Sequence, residues 1–418
     1  MKTPHALLAV IAVAIPLVIV SVALWTWVTI PPERDPDALS STLLEPLPAG
    51  YRDAVVEGHS IARSLIAEEK LPSLSLAVAV DGEIIWAEAF DWGEEKTGTE
   101  VTPATLYRIG GITKTLTAAA VGLLSERGRL DLDVPVQRYV PSFPEKEWPV
   151  TVRQLMAHTA GIRPFRGEGG IFQGASCADD AERLAIFAGE PLRARPGTEY
   201  RYSTYGWALV GAAVAAAANE PYLEFVQREI LTPLGMESTV PDIAGQIEPG
   251  SAHFYYPRLM LNPRYGLHAA PTVDLSCHLA AVGFLSTPSD LVRFGSAVMG
   301  DGLLDPATVE QLQRPVALES GELTGQALGW TVGSVPMGSD GAPKRVAGQG
   351  LGEAVIRRPL SVETVPGQVA GATAALLTVP EHGIAIAVAT NVSGSENVAL
   401  LATRLADVFV RAPIALID

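Results

Sequence analysis

The chain is poor in positive charge, in cysteine and in lysine, and each shortage closes off a class of function. Its 30 lysines and arginines are outnumbered by 46 aspartates and glutamates, for a formal net charge of −16. Such a surface repels phosphate backbones, so nucleic acid is not expected as a partner. Only two cysteines occur, Cys177 and Cys277. Two cannot build a disulfide scaffold or a zinc cluster. Two buried thiols are the favoured reading, and one disulfide stays open if the domain is exported. The seven histidines are scattered, with no HExxH pair, so neither a metal site nor another cofactor is expected. Lysine occurs six times, at 2, 70, 96, 114, 146 and 344, and none has a serine three residues before it. There is no Gly-x-Ser-x-Gly elbow either.

Apolar residues, by contrast, are plentiful: 48% of 418 residues are hydrophobic, ample for a large core. Residues 6–30 form one uncharged run. At ~1.5 Å per residue a helix of this length spans ~37 Å, enough to cross a ~30 Å hydrocarbon layer with some tilt. Trp25 and Trp27 sit near its far end, as interfacial indoles do. Lys2 precedes it and "PPERDPD" follows, which places the amino terminus in the cytoplasm. Residues 1–31 are therefore expected to be a single-pass cell-membrane anchor, with the rest extracytoplasmic. A signal peptide cleaved after "SVA" at 21–23 is the alternative. Residues 32–47, rich in Pro, Asp and Ser, read as a linker, and 48–418 as the folded part.

Within that part a helix is expected at about 50–69. "LSLAVAVDGEIIWAEAF" holds two apolar runs around Asp81-Gly82, a pair that tolerates the positive φ of a two-residue hairpin turn. "TAALLTVPEHGIAIAVAT" is a second hairpin. Ser395 is then expected to cap a helix with Val398, Leu401, Leu405, Val408 and Phe409 on one face. "TPSDLVRFGSAVM" reads as a helix start, with Thr287 as cap, Pro288 in the first turn and Asp290 closing a capping box. The fold class is α+β. Residues 48–110 and 311–418 should form an antiparallel sheet flanked by helices, and 111–310 a mostly helical lobe, with a cleft between them.

Five stretches carry a resemblance: "LYRIGGITKTLTAAAVGLL", "GRLDLDVPVQRYVPSFPEKEWPVTVRQLMAHTAGI", "PGTEYRYSTYGWALVGA", "LTPLGMEST" and "VGFLSTPSDLVRFG". Together they resemble the serine β-lactamase and penicillin-binding-protein family, in its class C-like branch with the mitochondrial serine β-lactamase-like proteins. The resemblance implies a β-lactamase/transpeptidase-like fold whose cleft carries three motifs. In the first, Ser-x-x-Lys, the serine attacks a carbonyl. Lys114 matches the lysine, and Gly111 stands at the serine position, which is thus vacant. The adjacent Thr113 and Thr115 point about 100° away from Lys114 on a helix and do not fill it. In the second motif Tyr202 matches the tyrosine, with Thr204 in place of asparagine. The third, a Lys- or His-x-Gly on a strand, falls on Val365-Pro366-Gly367, with Gln349-Gly350 as an earlier candidate. Neither supplies the cation. His158 occupies a recurrent family position and reads as a helix-end brace. The stretch 341–365 reads as an insertion.

Three functions stay open. One is a catalytically impaired family member that binds envelope peptides of the peptidoglycan type, acyl ligands or a protein partner. A second is an active peptidase, esterase or amidase whose residue 111 has been substituted. The third is a scaffold without a small ligand.

Overall fold

The computed structural model describes residues 15–17, 19–21, 35, 38–92, 100–164, 176–243, 249–259, 262–300, 302–349, 367–395 and 397–412. Most of the expected anchor therefore lies outside the described residues, as does Val365. Among the described residues no helix is long and apolar enough to cross a membrane.

One large antiparallel sheet organises the molecule. Its strands are β1 (Ser40–Leu43), β2 (Ser73–Val80), β3 (Glu83–Asp91), β4 (Thr331–Met337), β5 (Ala342–Gln349), β6 (Gly367–Val369), β7 (Ala372–Val379) and β8 (Ile384–Thr390). The order is β1-β3-β2-β8-β7-β5-β4, with β6 also on β7. The two ends of the folded part thus meet at the β2–β8 ladder, as the sequence indicates. Both hairpins form. Asp81 and Gly82 take φ of 50° and 88°, the left-handed pair that a two-residue turn requires.

The two faces of this sheet differ in side-chain size. Leu74, Leu76, Val78, Ile386, Val388 and Leu377 face α1 (Arg52–Glu69) and the carboxy-terminal helix Asn397–Arg411. The opposite face carries Ala77, Ala79, Ala385, Ala387, Ala389 and Ala374. Alanines let backbone come close. The helix Pro288–Met299 packs there, and a Cβ added at its Gly295 would lie 3.2 Å from the Ala385 Cβ. This helix therefore sits on the sheet. Beyond it lie the buried helices α2 (Thr113–Glu126) and α3 (Thr204–Ala218), with shorter helical turns. The stretch 111–310 also holds strands. Phe284–Ser286 pairs with Tyr107–Arg108 and Val240–Pro241, and Tyr255–Pro257 pairs with Leu267–Ala269.

Several expectations need correction. Residues 40–43 are not linker: they pair with β3, whose outer edge would otherwise be bare, and Leu39 is buried. Residues 342–349 of the supposed insertion form a sheet strand, between β4 and β7. Thr287 Oγ1 accepts from Asp290 N, but the reciprocal half of the capping box is not made. The Asp290 carboxylate instead accepts from Ser238 N and Thr239 Oγ1, tying a distant segment to the helix start. Ser395 Oγ is buried without a hydrogen-bond partner among the described residues, so only its carbonyl serves the last helix, accepting from Val398 N. The cysteines are not thiols: Cys177 and Cys277 form a disulfide, with Cα atoms 4.9 Å apart. The hydrogen bond from Cys177 N to Ser276 Oγ brings the two segments into that register.

The disulfide closes a loop 100 residues apart in sequence. Replacing both cysteines by serine should cost about 2–4 kcal/mol. Urea unfolding checks this, and an unchanged midpoint would show that the bridge contributes nothing.

Candidate functional site

Tyr107-Arg108 leads into a single tight turn. Gly110 has φ +50°, which favours glycine, and the 3-10 turn Gly110–Ile112 then runs directly into α2. Gly111 is buried but is not in the left-handed region, so its backbone does not require a glycine. One helical turn on, Lys114 is 1% exposed, on the same face as position 111. The turn packs against β6, β7 and β5.

Arg108 fixes the approach to this turn. Its Nε donates to Asp242 Oδ2 at 2.6 Å and its Nη1 to Ala370 O at 2.5 Å, and its guanidinium lies 4.2 Å from the Phe254 ring centroid. The clamp joins three segments far apart in sequence. No local pattern in "YRIG" signals it, and sequence reasoning missed it.

Opposite the turn, Lys114 Nζ donates to Tyr202 Oη at 2.8 Å. The Nζ also lies 5.1 Å from the Tyr202 ring centroid. Among the described residues no other side-chain oxygen is hydrogen-bonded to this ammonium, and no carboxylate pairs with it. Thr115 Oγ1 donates to Ile112 O instead, and Thr113 Oγ1 is buried without a hydrogen-bond partner.

His158 holds Tyr202 in place. It follows the short helix Val152–Met156 in a left-handed conformation, φ +58°. Its ring stacks on Tyr202 with centroids 4.4 Å apart, its Nδ1 accepts from Ser203 N, and its carbonyl accepts from Arg201 N. This is the bracing place expected from sequence. Because Nδ1 accepts, the neutral ring carries its proton on Nε2. Burial, and next the nearby Lys114 charge, push its pKa down to about 3. Ser203 in turn caps α3, its Oγ accepting from Gly206 N, so Tyr202 is held between a histidine and a helix start. Thr204 is the buried first residue of α3.

The two candidate positions for the third motif are neighbours in space. Gln349 is paired with Leu376 and Gly367 with Ala374, one after the other along the same edge of β7. Both strands pack against the turn that contains Gly111. Gln349 is neutral, and its Nε2 donates to Gly329 O at 2.5 Å. Gly329, φ +85°, has no room for a side chain: a Cβ would lie 2.8 Å from Trp207 and 3.0 Å from Lys114 O. This close approach seats β4 and β5 against α2, and sequence reasoning missed it too.

A family model described as Beta-lactamase matches residues 59–409. The chain belongs to the β-lactamase family. Among curated relatives, the chain is 27% identical over 328 residues to "Serine beta-lactamase-like protein LACTB, mitochondrial" of Mus musculus, covering 61% of this chain and 59% of that protein. It is 24% identical over 278 residues to "Penicillin-binding protein 4*" of Bacillus subtilis, covering 63% and 60%. The chain thus spans less than two thirds of the length of either relative. The structure of an octameric penicillin-binding protein homologue from Pyrococcus abyssi superposes with a TM-score of 0.66 at 24% identity, covering 83% of this chain and 75% of that one. That likeness is one of fold.

The histidines make stability depend on pH. His278 is also held down, to about 4, by burial. The unfolded chain takes up these protons below its ordinary value of about 6.5, whereas the folded chain does so only near 3 and 4. Stability is therefore full above 6.5 and falls as pH drops toward 4, by up to about 1.4 kcal/mol per pH unit for each histidine. His158→Gln should flatten the dependence of the urea midpoint between pH 6.5 and 4. A slope identical to that of the unmodified chain would show that His158 does not titrate this way.

Proposed function

We propose that this β-lactamase-family chain is an exported, membrane-anchored protein. It binds acyl or peptide ligands of the cell envelope in the cleft beside Gly111, Lys114 and Tyr202 without forming an acyl-enzyme. The observation that carries the reading is the part-buried Lys114–Tyr202 contact of 2.8 Å with a glycine one turn before the lysine. The proton-handling pair of an acyl-transfer site is kept, while the oxygen that would attack is not there. Covalent catalysis needs such a nucleophile, and removing one from a serine protease costs on the order of 10⁶ in turnover. What the site still offers to an anion or a carbonyl oxygen is the Lys114 ammonium and the Tyr202 hydroxyl. The missing cation at Val365, or at Gln349 in the earlier candidate, argues for a second departure from hydrolysis, independent of Gly111.

Export is supported by two unrelated features. One is the uncharged run 6–30, and the other is the Cys177–Cys277 bridge, since such bridges persist in oxidising compartments. Peptides of the peptidoglycan type fit both the location and the names of the penicillin-binding relatives. One observation favours a second reading, an active serine hydrolase altered at residue 111. The Gly111 backbone lies outside the left-handed region, so its φ does not exclude a serine.

Covalent probes test the proposal. The unmodified chain should stay unlabelled by a fluorescent penicillin and by a fluorophosphonate, and Gly111→Ser should become labelled, with Gly111→Ser/Lys114→Ala silent again. Labelling of the unmodified chain would overturn the non-covalent reading.

A further inference from the structure

A groove of about 410 Å³ opens at the far edge of the sheet, away from the Lys114 site. It lies between the end of the helix Pro288–Met299, the helix Pro306–Leu312 with the turn after it, and β5. Its wall is apolar at Met299, Pro306, Val309 and Pro315. Among the described residues its polar side chains are two guanidiniums, one amide and one carboxylate.

Arg345 stands half-buried on β5. Among the described residues no carboxylate lies within ion-pair distance of it, and its hydrogen bond to Gln313 O is long, at 3.4 Å. Gln313 is 2% exposed, and its Nε2 has no hydrogen-bond partner among the described residues. A buried amide donor left unpaired is costly, and a half-buried arginine without a counter-ion is uncommon. Arg314 at the mouth pairs with Glu310 at 2.6 Å, but both are strongly exposed, where such pairs hold weakly. Among the described residues the lining carries Arg314 and Arg345 against Glu310, a local balance of +1 on a chain of net charge −16.

We propose that this groove binds a small monocarboxylate with a short apolar tail. The carboxylate lies between the Arg345 fork, whose two parallel N–H groups match its two oxygens, and the Gln313 amide. The tail lies on the Met299–Val309 wall. The volume is within the usual range for small-molecule sites. A multiply charged anion without a tail is disfavoured, because it would forgo the wall and bring more negative charge beside Glu310. None of these residues belongs to the Gly111–Lys114–Tyr202 site, so the inference stands or falls independently of the proposed function.

Calorimetry on the full chain in a neutral detergent tests it, with hexanoate, hexan-1-ol and inorganic phosphate as probes. Hexanoate should bind saturably at one site, and the alcohol and phosphate at least tenfold more weakly. Arg345→Gln should weaken hexanoate at least tenfold and Gln313→Leu several-fold, with melting curves confirming that the variants fold. Lys114→Gln alters the central cleft, and the site that Arg345→Gln removes should survive it. The proposal is overturned if hexanoate does not saturate, if phosphate binds as tightly, or if Arg345→Gln binds like the unmodified chain. It is also overturned if Lys114→Gln abolishes binding, which would move the carboxylate into the central cleft.

Discussion

A lysine 1% exposed, with a tyrosine hydroxyl as its hydrogen-bond partner, is the constraint around which the site is arranged. Taking an ammonium out of water is costly unless geometry compensates. Here the compensation needs Tyr202 to be immobile. The stacked His158 ring, the bond from Ser203 N to that ring and the capping of α3 by Ser203 Oγ all serve this end. His158 can take part only as a neutral ring, and its burial next to Lys114 keeps it so. The neutral state of His158 thus follows first from its own burial and next from the Lys114 charge beyond Tyr202.

The uneven sheet explains why this arrangement lies where it does. Large aliphatic residues on one face hold the terminal helices at a distance, while alanines on the other let the turn Gly110–Ile112 and the helix Pro288–Met299 come close. Gly329 allows a similar approach on the far side of α2. The Arg108 clamp ties the strand before the turn to Asp242 and to Ala370, just past the end of β6. These contacts tie the seam between sheet and helices around the turn that carries Gly111.

The sequence by itself indicated the fold class, both hairpins and the helix at 52–69, while Lys114, Tyr202 and His158, which the structure brings together, came from the family resemblance. The hairpins and the helix rest on a local period or a turn dipeptide such as Asp81-Gly82, both of which act over a few residues. Tertiary structure alone decided the Cys177–Cys277 bridge, the Arg108–Asp242 clamp, the turning of Asp290 toward Thr239, the pairing of residues 40–43 with β3, and the shared β7 edge of Gln349 and Gly367. Apart from the last, these contacts join residues roughly 50 to more than 250 apart in the chain. Their energies depend on burial and on which surfaces meet once the sheet closes, and no spacing along the sequence encodes that.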